Sequence, residues 1–125
     1  MSIRDFVEGR GYDNTQSLAV PAGTTVTLIN ERITTAELLL LTHFANYVSD
    51  IMAWGSIVWN TTINGVPVAS LYNVKDQLGD PANPRELGYQ PQLRGNDLLE
   101  VKVTNNAAVE YSVGVSVKGK FGWER

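Results

Sequence analysis

The residues able to do acid–base or nucleophilic chemistry are few and scattered. His43 is the single histidine and lies in the most apolar stretch of the chain. The chain has no cysteine, which excludes a thiol nucleophile, a disulfide framework and a cysteine zinc site. Carboxylate pairs come from Asp76 with Asp80 and from Asp97 with Glu100, but any chain with 13 acidic residues offers such pairs. We therefore expect no catalytic residue and no enzyme activity.

Three short motifs could hold a metal, a phosphate or a glycan. Hard oxygen ligands for Ca²⁺ occur between residues 76 and 97, without the spacing of an EF-hand loop. Gly9-Arg10-Gly11 lacks the third glycine of a dinucleotide-binding loop. Asn60-Thr61-Thr62 matches the glycosylation triplet but falls inside a predicted strand. We expect no metal and no cofactor.

Charge and hydropathy exclude two further classes of partner. The formal net charge is −3 and charged residues make up 18% of the chain, so the basic footprint of a nucleic-acid-binding protein is missing. No apolar run reaches the 18 residues of a membrane-spanning helix. Residues 1–5 show no apolar signal region. We expect neither nucleic acid nor a membrane as partner.

The elements that must position any site are mainly β-strands. Apolar residues alternate with polar ones over 97–104 and again over 109–118, with Asn105-Asn106 between them, which predicts a two-stranded hairpin. Asn64-Gly65 predicts a second hairpin through a type I′ turn. Pro67, just after this turn, places the outgoing strand at an edge.

Two segments allow more than one interpretation. Residues 34–53 fit either a capped helix or a buried strand over 37–45 followed by a loop, and we favour the strand because the rest of the chain has a β pattern. Residues 70–95 hold three prolines and three glycines, which predicts a long loop with one helical turn near 74–78. The complete set of predicted strands is 16–20, 24–29, 37–45, 56–63, 66–69, 86–93, 97–104 and 109–118.

These strands predict an all-β fold, a two-sheet antiparallel sandwich of jelly-roll type with about eight strands and a long loop at 70–95. Residues 16–125 form this single domain. Residues 1–15 alternate charges of opposite sign with isolated rings and are predicted to form an N-terminal arm. The alternative for that segment is a frayed terminus.

The aromatic residues are the candidate binding residues. Four of them are predicted to form an interface with a neighbouring subunit because they lie in the two terminal segments, where exposed rings mark a contact surface: Phe6, Tyr12, Phe121 and Trp123. Phe121 and Trp123 are expected to be buried, against their own domain or a neighbour. Three others could form a stacking platform for a ligand: Trp54, Tyr72 and Tyr89.

The order of these motifs resembles the small jelly-roll virion proteins of tailed bacteriophages, that is, capsid cement or decoration proteins and head-associated accessory proteins. The resemblance covers about residues 16–119 and rests on the following series: Trp59, Asn64-Gly65-Val66-Pro67-Val68, Asp76-Gln77-Leu78-Gly79, Pro84, Leu98-Leu99-Glu100-Val101, Asn105-Asn106 and Val113-Gly114-Val115. It implies no active site.

The resemblance implies a structural, non-enzymatic protein that is made in the host cytoplasm and located in the virion. Its partners would be the major capsid protein or other virion subunits, it would reinforce the shell, and it would be a homo-oligomer. The alternative function is a carbohydrate-binding β-sandwich module that uses the platform of Trp54, Tyr72 and Tyr89.

Overall fold

Strands with alternating buried and exposed residues make up most of the chain. The computed structural model describes residues 6–34 and 37–124. Within them lie β1 (Phe6–Val20), β2 (Thr25–Arg32), β3 (Leu38–Val48), β4 (Ile57–Ile63), β5 (Val66–Pro67), β6 (Gly79–Asp80), β7 (Asn83–Glu86), β8 (Gln92–Leu93), β9 (Leu98–Asn105) and β10 (Tyr111–Glu124). In the same described part of the chain, short 3₁₀ turns span Ile51–Ala53 and Ala69–Leu71.

The strands form two antiparallel sheets that pack face to face. One sheet has the order β1-β10-β3-β7-β6, with β8 also paired to β3, and the other has the order β2-β9-β4-β5. Successive long strands cross from one sheet to the other, which is the Greek-key arrangement of a jelly roll. The predicted all-β sandwich is therefore confirmed.

The core lies between the sheets, where the inward residues of β9 and β10 meet. The inward residues Leu99, Val101, Val103, Val113, Val115 and Val117 are completely buried. Trp59 of β4 is also completely buried, and its ring nitrogen donates a hydrogen bond of 3.2 Å to the carbonyl of Gly114 in the opposite sheet. This bond satisfies the one polar atom that the indole carries into the core.

The predicted hairpin of 97–104 with 109–118 is wrong. β9 pairs with β2 and β4, whereas β10 pairs with β1 and β3. The alternation of apolar and polar residues shows which side chains face inward, but it does not show which strands pair. Two strands in opposite sheets of a sandwich have the same alternation as two strands of a hairpin. The Asn105 side chain holds the crossing, because it donates to the carbonyls of Val20 and Val109 and accepts from the amide of Ala107.

The Asn64-Gly65 hairpin is confirmed. β4 and β5 pair antiparallel through Ile63 with Val66. Asn64 has a φ of 54° and Gly65 a φ of 78°, as a type I′ turn requires at both central positions. Pro67 lies on β5, which is an edge strand as expected.

The strand interpretation of residues 34–53 is correct, although the strand extends to Val48 rather than ending at residue 45. β3 lies inside its sheet, between β10 and the short strands β7 and β8. Leu38–Leu41 are buried on both faces. The amide of Leu41 donates to the carbonyl of Pro91, so the segment before β8 continues the pairing of β8 with β3.

The segment 70–95 differs from the prediction in three details. The first is that β6 and β7 pair antiparallel within the predicted loop. The helical turn lies at Ala69–Leu71 instead of 74–78, because Val74 exchanges backbone hydrogen bonds of 2.9 and 3.0 Å with Trp59. The predicted strand 86–93 is interrupted: β7 ends at Glu86 and β8 begins at Gln92. Gly88 and Pro91 lie in this gap.

The N-terminal segment joins the sandwich from residue 6 onward. β1 pairs with β10 of the same chain from Phe6 to Val20, and the strand is continuous across the predicted boundary between residues 15 and 16. Residues 1–5 lie outside the described residues. Docking of the segment on a neighbouring subunit stays a prediction.

Candidate interaction surfaces

Two of the four predicted interface residues form one cluster, although 108 positions separate them in the sequence. Tyr12 of β1 lies opposite Gly119 of β10, which brings its ring against Phe121. The two rings meet edge to face, with centroids 5.7 Å apart and an angle of 85°. The side chain of Phe6 lies outside the described residues. We call the surface formed by Arg10, Tyr12, Phe121 and Trp123 the aromatic end.

Arg10 covers the outer side of this cluster. A bulge between Glu8 and Gly11 places one extra residue of β1 opposite Phe121, and the Arg10 guanidinium carbon lies 3.9 Å from the Phe121 ring centroid. The same guanidinium lies 3.3 Å from the Glu37 carboxylate. Arg10 therefore combines a cation–π contact with an ion pair.

Tyr12 links the cluster to the second sheet. Its hydroxyl donates a hydrogen bond of 3.1 Å to the Glu31 carboxylate. Burial, followed by the charge of Glu31, raises the pKa of Tyr12 to about 12. A cavity of about 220 Å³ opens beside this pair, between Arg10, Arg32 and Thr34. The phenol therefore stays a neutral donor at any physiological pH.

Trp123 is the exposed ring of the aromatic end. Phe121 is 6% exposed, whereas Trp123 is 50% exposed. The Trp123 ring packs over Gly9, where a Cβ atom would come within 2.8 Å of the indole. Half of a large, backbone-anchored indole is thus available to a partner.

Two of the three residues of the alternative platform, Trp54 and Tyr89, lie at opposite ends of β4. Trp54 bridges to Ile57 at the start of β4, and its ring stacks on buried Trp59 at 5.3 Å. Tyr72 is 44% exposed and Tyr89 is 74% exposed. Tyr89 shares a cavity with Ile63 at the other end of β4. Because β4 has seven residues, its two ends lie about 20 Å apart.

Tyr89 stands between two cavities. One, of about 470 Å³, is mostly apolar and lies against Val66, Pro67 and Pro91. The other, of about 540 Å³, is lined by Glu86, Leu87, Gln90 and Gln92 among others. An exposed ring can stack on a small ligand, and amide and carboxylate groups beside it can orient that ligand by hydrogen bonds.

Sequence reasoning missed an apolar surface at the opposite end of the sandwich. Ile51 is 78% exposed, Met52 is 83% exposed and Val109 is 54% exposed. They lie on the connections β3–β4 and β9–β10, and we call this surface the loop end. The Asp50 side chain accepts from the amide of Met52 at 2.9 Å and fixes the turn. The sequence signal for this surface was the pair of large apolar residues, Ile51 and Met52, directly after Asp50.

Three of the polar residues considered for chemistry, His43, Asp80 and Asp97, have structural partners. His43 Nδ1 lies 2.8 Å from the Thr42 hydroxyl. Asp80 accepts from the amides of Ala82 and Asn83. The Asp97 carboxylate accepts from the Arg94 amide and from Asn64, and these bonds hold the pKa of Asp97 below its usual value. These carboxylates act as turn caps.

Within the described residues, no group of three or more histidine, cysteine, aspartate or glutamate side chains is placed to hold a metal ion. Across the same part of the chain, no helix has the length and apolar character to cross a membrane. Comparison of the sequence with models of protein families and with curated proteins found no match.

Proposed function

We propose that this chain is a non-enzymatic structural protein of a phage virion that binds capsid subunits and reinforces the shell. The aromatic end carries the proposal, because it joins a tryptophan, a tyrosine and an arginine on adjacent strands. These three residue types are the ones enriched at the energetic centres of protein interfaces. The jelly-roll architecture supports the same class, since viral capsid domains use it.

The aromatic end has the anatomy of a docking site. Trp123 supplies the exposed ring, which packs over Gly9, and buried Phe121 lies two residues before it on β10. Arg10 and Glu37 supply a polar rim. A ring held by a strand loses little conformational freedom on binding, so more of its burial energy goes to affinity. The partner would be the major capsid protein or another virion subunit, and the protein would be made in the host cytoplasm and located in the virion.

The test uses phage capsids that lack this protein, incubated with purified wild-type chain. Bound chain is measured by sedimentation and shell stability by calorimetry. We expect binding and a higher melting temperature of the shell. Trp123→Ala should weaken binding by about 30-fold, because truncating an energetically dominant interface residue costs about 2 kcal/mol of binding free energy.

Tyr72→Ala is the matched control, since it removes an exposed ring outside the aromatic end. We expect it to bind as the wild type does. Wild-type chain that does not sediment with capsids would refute the virion role. Equal losses in the two variants would refute the aromatic end as the docking site.

A carbohydrate-binding function is the second candidate, and the exposure of Tyr89 between two cavities favours it. The ligand would stack on Tyr89 and bond to groups such as Gln92 and Glu86. Titration with soluble oligosaccharides, followed by NMR, tests it. Binding that Tyr89→Ala abolishes and Trp123→Ala preserves would replace the virion role by this one.

A further inference from the structure

The edge strands of the two sheets differ in their protection against pairing with another chain. β5 and β6 have two residues each; β5 contains Pro67, and Pro81 follows β6. β2 has eight residues, but a bulge interrupts its middle and Glu31 and Arg32 lie at its end. Short length, proline, bulges and charges are the features by which native sheets prevent edge-to-edge association.

β1 lacks these features over most of its length. From Gly11 to Val20 it pairs with β10 without a register shift, and its outer side is the edge of the sheet. Asp13 is the one charged residue in this stretch, and it lies 3.7 Å from Lys118 of its own sheet. Residues 15–19 are exposed, uncharged and free of proline, and Leu18 is 48% exposed. Among the described strands, β1 is the long edge left open.

We propose that β1 pairs with β1 of a second copy of this chain, antiparallel, so that the two sandwiches share one continuous sheet. The added strand must itself be a long open edge, and every copy offers one in β1. In a two-fold arrangement each β1 edge is paired with the β1 edge of the other copy. Neither copy then has an open β1 edge left, so the assembly closes as a dimer. Among the described strands, the edges that remain are the protected strand β2 and the two-residue strands β5, β6 and β8.

The register of this pairing follows from geometry. Opposite residues of an antiparallel pair point to the same face. A two-fold axis perpendicular to the sheet preserves the faces, so one residue must lie opposite its own copy. The overlap within 11–20 is longest when that residue is Thr15 or Gln16. Asp13 then lies opposite Ser17 or Ala19, so that like charges do not meet.

The dimer is a property of the isolated chain and is independent of the proposed virion role. The wild-type chain is measured by native mass spectrometry and light scattering, where we expect twice the 13.7 kDa mass of one chain. Because the chain has no cysteine, single cysteines report the register directly. Either Thr15→Cys or Gln16→Cys should form a disulfide-linked dimer in mild oxidant, whereas Asn30→Cys on β2 should not.

A charge variant tests the edge without cross-linking. Gln16→Lys combined with Leu18→Lys places like charges along the pairing edge and should raise the dimer dissociation constant at least about tenfold. Asn30→Lys changes an exposed residue of β2 and should leave the dimer dissociation constant unchanged. Circular dichroism verifies that both variants fold. A wild-type mass of one chain up to the solubility limit would overturn the proposal. So would a dimer in which neither cysteine of β1 forms the cross-link.

Discussion

The aromatic end and the loop end both expose apolar side chains, but they are built in opposite ways. At the aromatic end the side chains support one another: Tyr12 packs on Phe121, Arg10 covers the ring, and Glu31 accepts from the phenol. At the loop end the backbone is anchored and the side chains are not, because Ile51 is 78% exposed. The apolar side chains of the aromatic end therefore stabilise the folded chain, whereas the exposed apolar side chains of the loop end contribute little to its stability.

The largest effect is expected from Phe121→Ala, which removes the ring that the aromatic end is built around. Phe121 is 6% exposed, and truncating a buried phenylalanine lowers the free energy of unfolding by about 3–5 kcal/mol. Urea denaturation measures the loss. Trp123→Ala, two residues along the strand, should lower it by about 1 kcal/mol, since half of that ring is already in water. Equal losses would mean that Trp123 belongs to the core.

The corresponding test of the loop end is Asn105→Ala, because this completely buried side chain makes three hydrogen bonds to the backbone of the crossing. Unpaired buried polar groups cost about 1–3 kcal/mol each, so we expect a loss of about 3 kcal/mol in urea denaturation. Asn106→Ala changes the exposed neighbour and should be close to neutral. A neutral Asn105→Ala would show that other contacts hold the loops.

The burial of Tyr12, with a smaller effect of Glu31, makes the aromatic end sensitive to alkaline pH. In the folded chain the pKa of Tyr12 is raised from 10.0 to about 12 by burial. Below pH 10 the phenol is protonated in both states and its contribution to stability is complete. Between pH 10 and 12 the unfolded chain loses the proton first, so stability falls as the pH rises.

Tyr12→Phe removes this dependence. The variant should melt below the wild type at pH 8, and the difference in melting temperature should shrink as the pH rises to 12. Thermal melts followed by circular dichroism measure both chains. A difference that stays constant across this range would show that the pKa of Tyr12 is not raised.

The smallest effect on stability is expected from Ile51→Ser with Met52→Ser at the loop end. Both side chains are almost fully exposed, so the free energy of unfolding should change by less than about 0.5 kcal/mol. Retention on a hydrophobic-interaction column should fall at the same time. A loss of several kcal/mol would show that these side chains pack on their own domain.

Much of the fold followed from local patterns, and the errors have a common cause. Alternation located the strands at 97–104 and 109–118, and Asn64-Gly65 located a turn, because these signals depend on neighbouring residues. The partner of each strand depends on distant residues, so the hairpin of β9 with β10 was mistaken. β1 was missed before residue 16 because an edge strand with exposed residues on both faces shows no apolar period.

The candidate site was predictable to a similar degree. Tyr12 and Phe121 were selected as isolated rings in terminal segments, and the pairing of β1 with β10 brings them into contact. The ion pair of Arg10 with Glu37 could not be predicted, because it depends on the bulge in β1 and on the start of β3. The loop end was missed because residues 46–53 were interpreted as a loop, and the exposure of Ile51 and Met52 depends on how the turn at Ile51–Ala53 is held.

The position of β10 between β1 and β3 affects how the chain can be synthesised and folded. The strand synthesised last among the described elements occupies an interior place in the first sheet, next to the strand synthesised first. Until Tyr111–Glu124 has left the ribosome, β1 and β3 have no strand between them and their inner faces stay uncovered. Pairings between residues far apart in the sequence form slowly. Until they form, the unpaired strand edges favour aggregation. The nascent chain is therefore most vulnerable before β10 is synthesised, and a chaperone that shields β3 until then would raise the yield of folded protein.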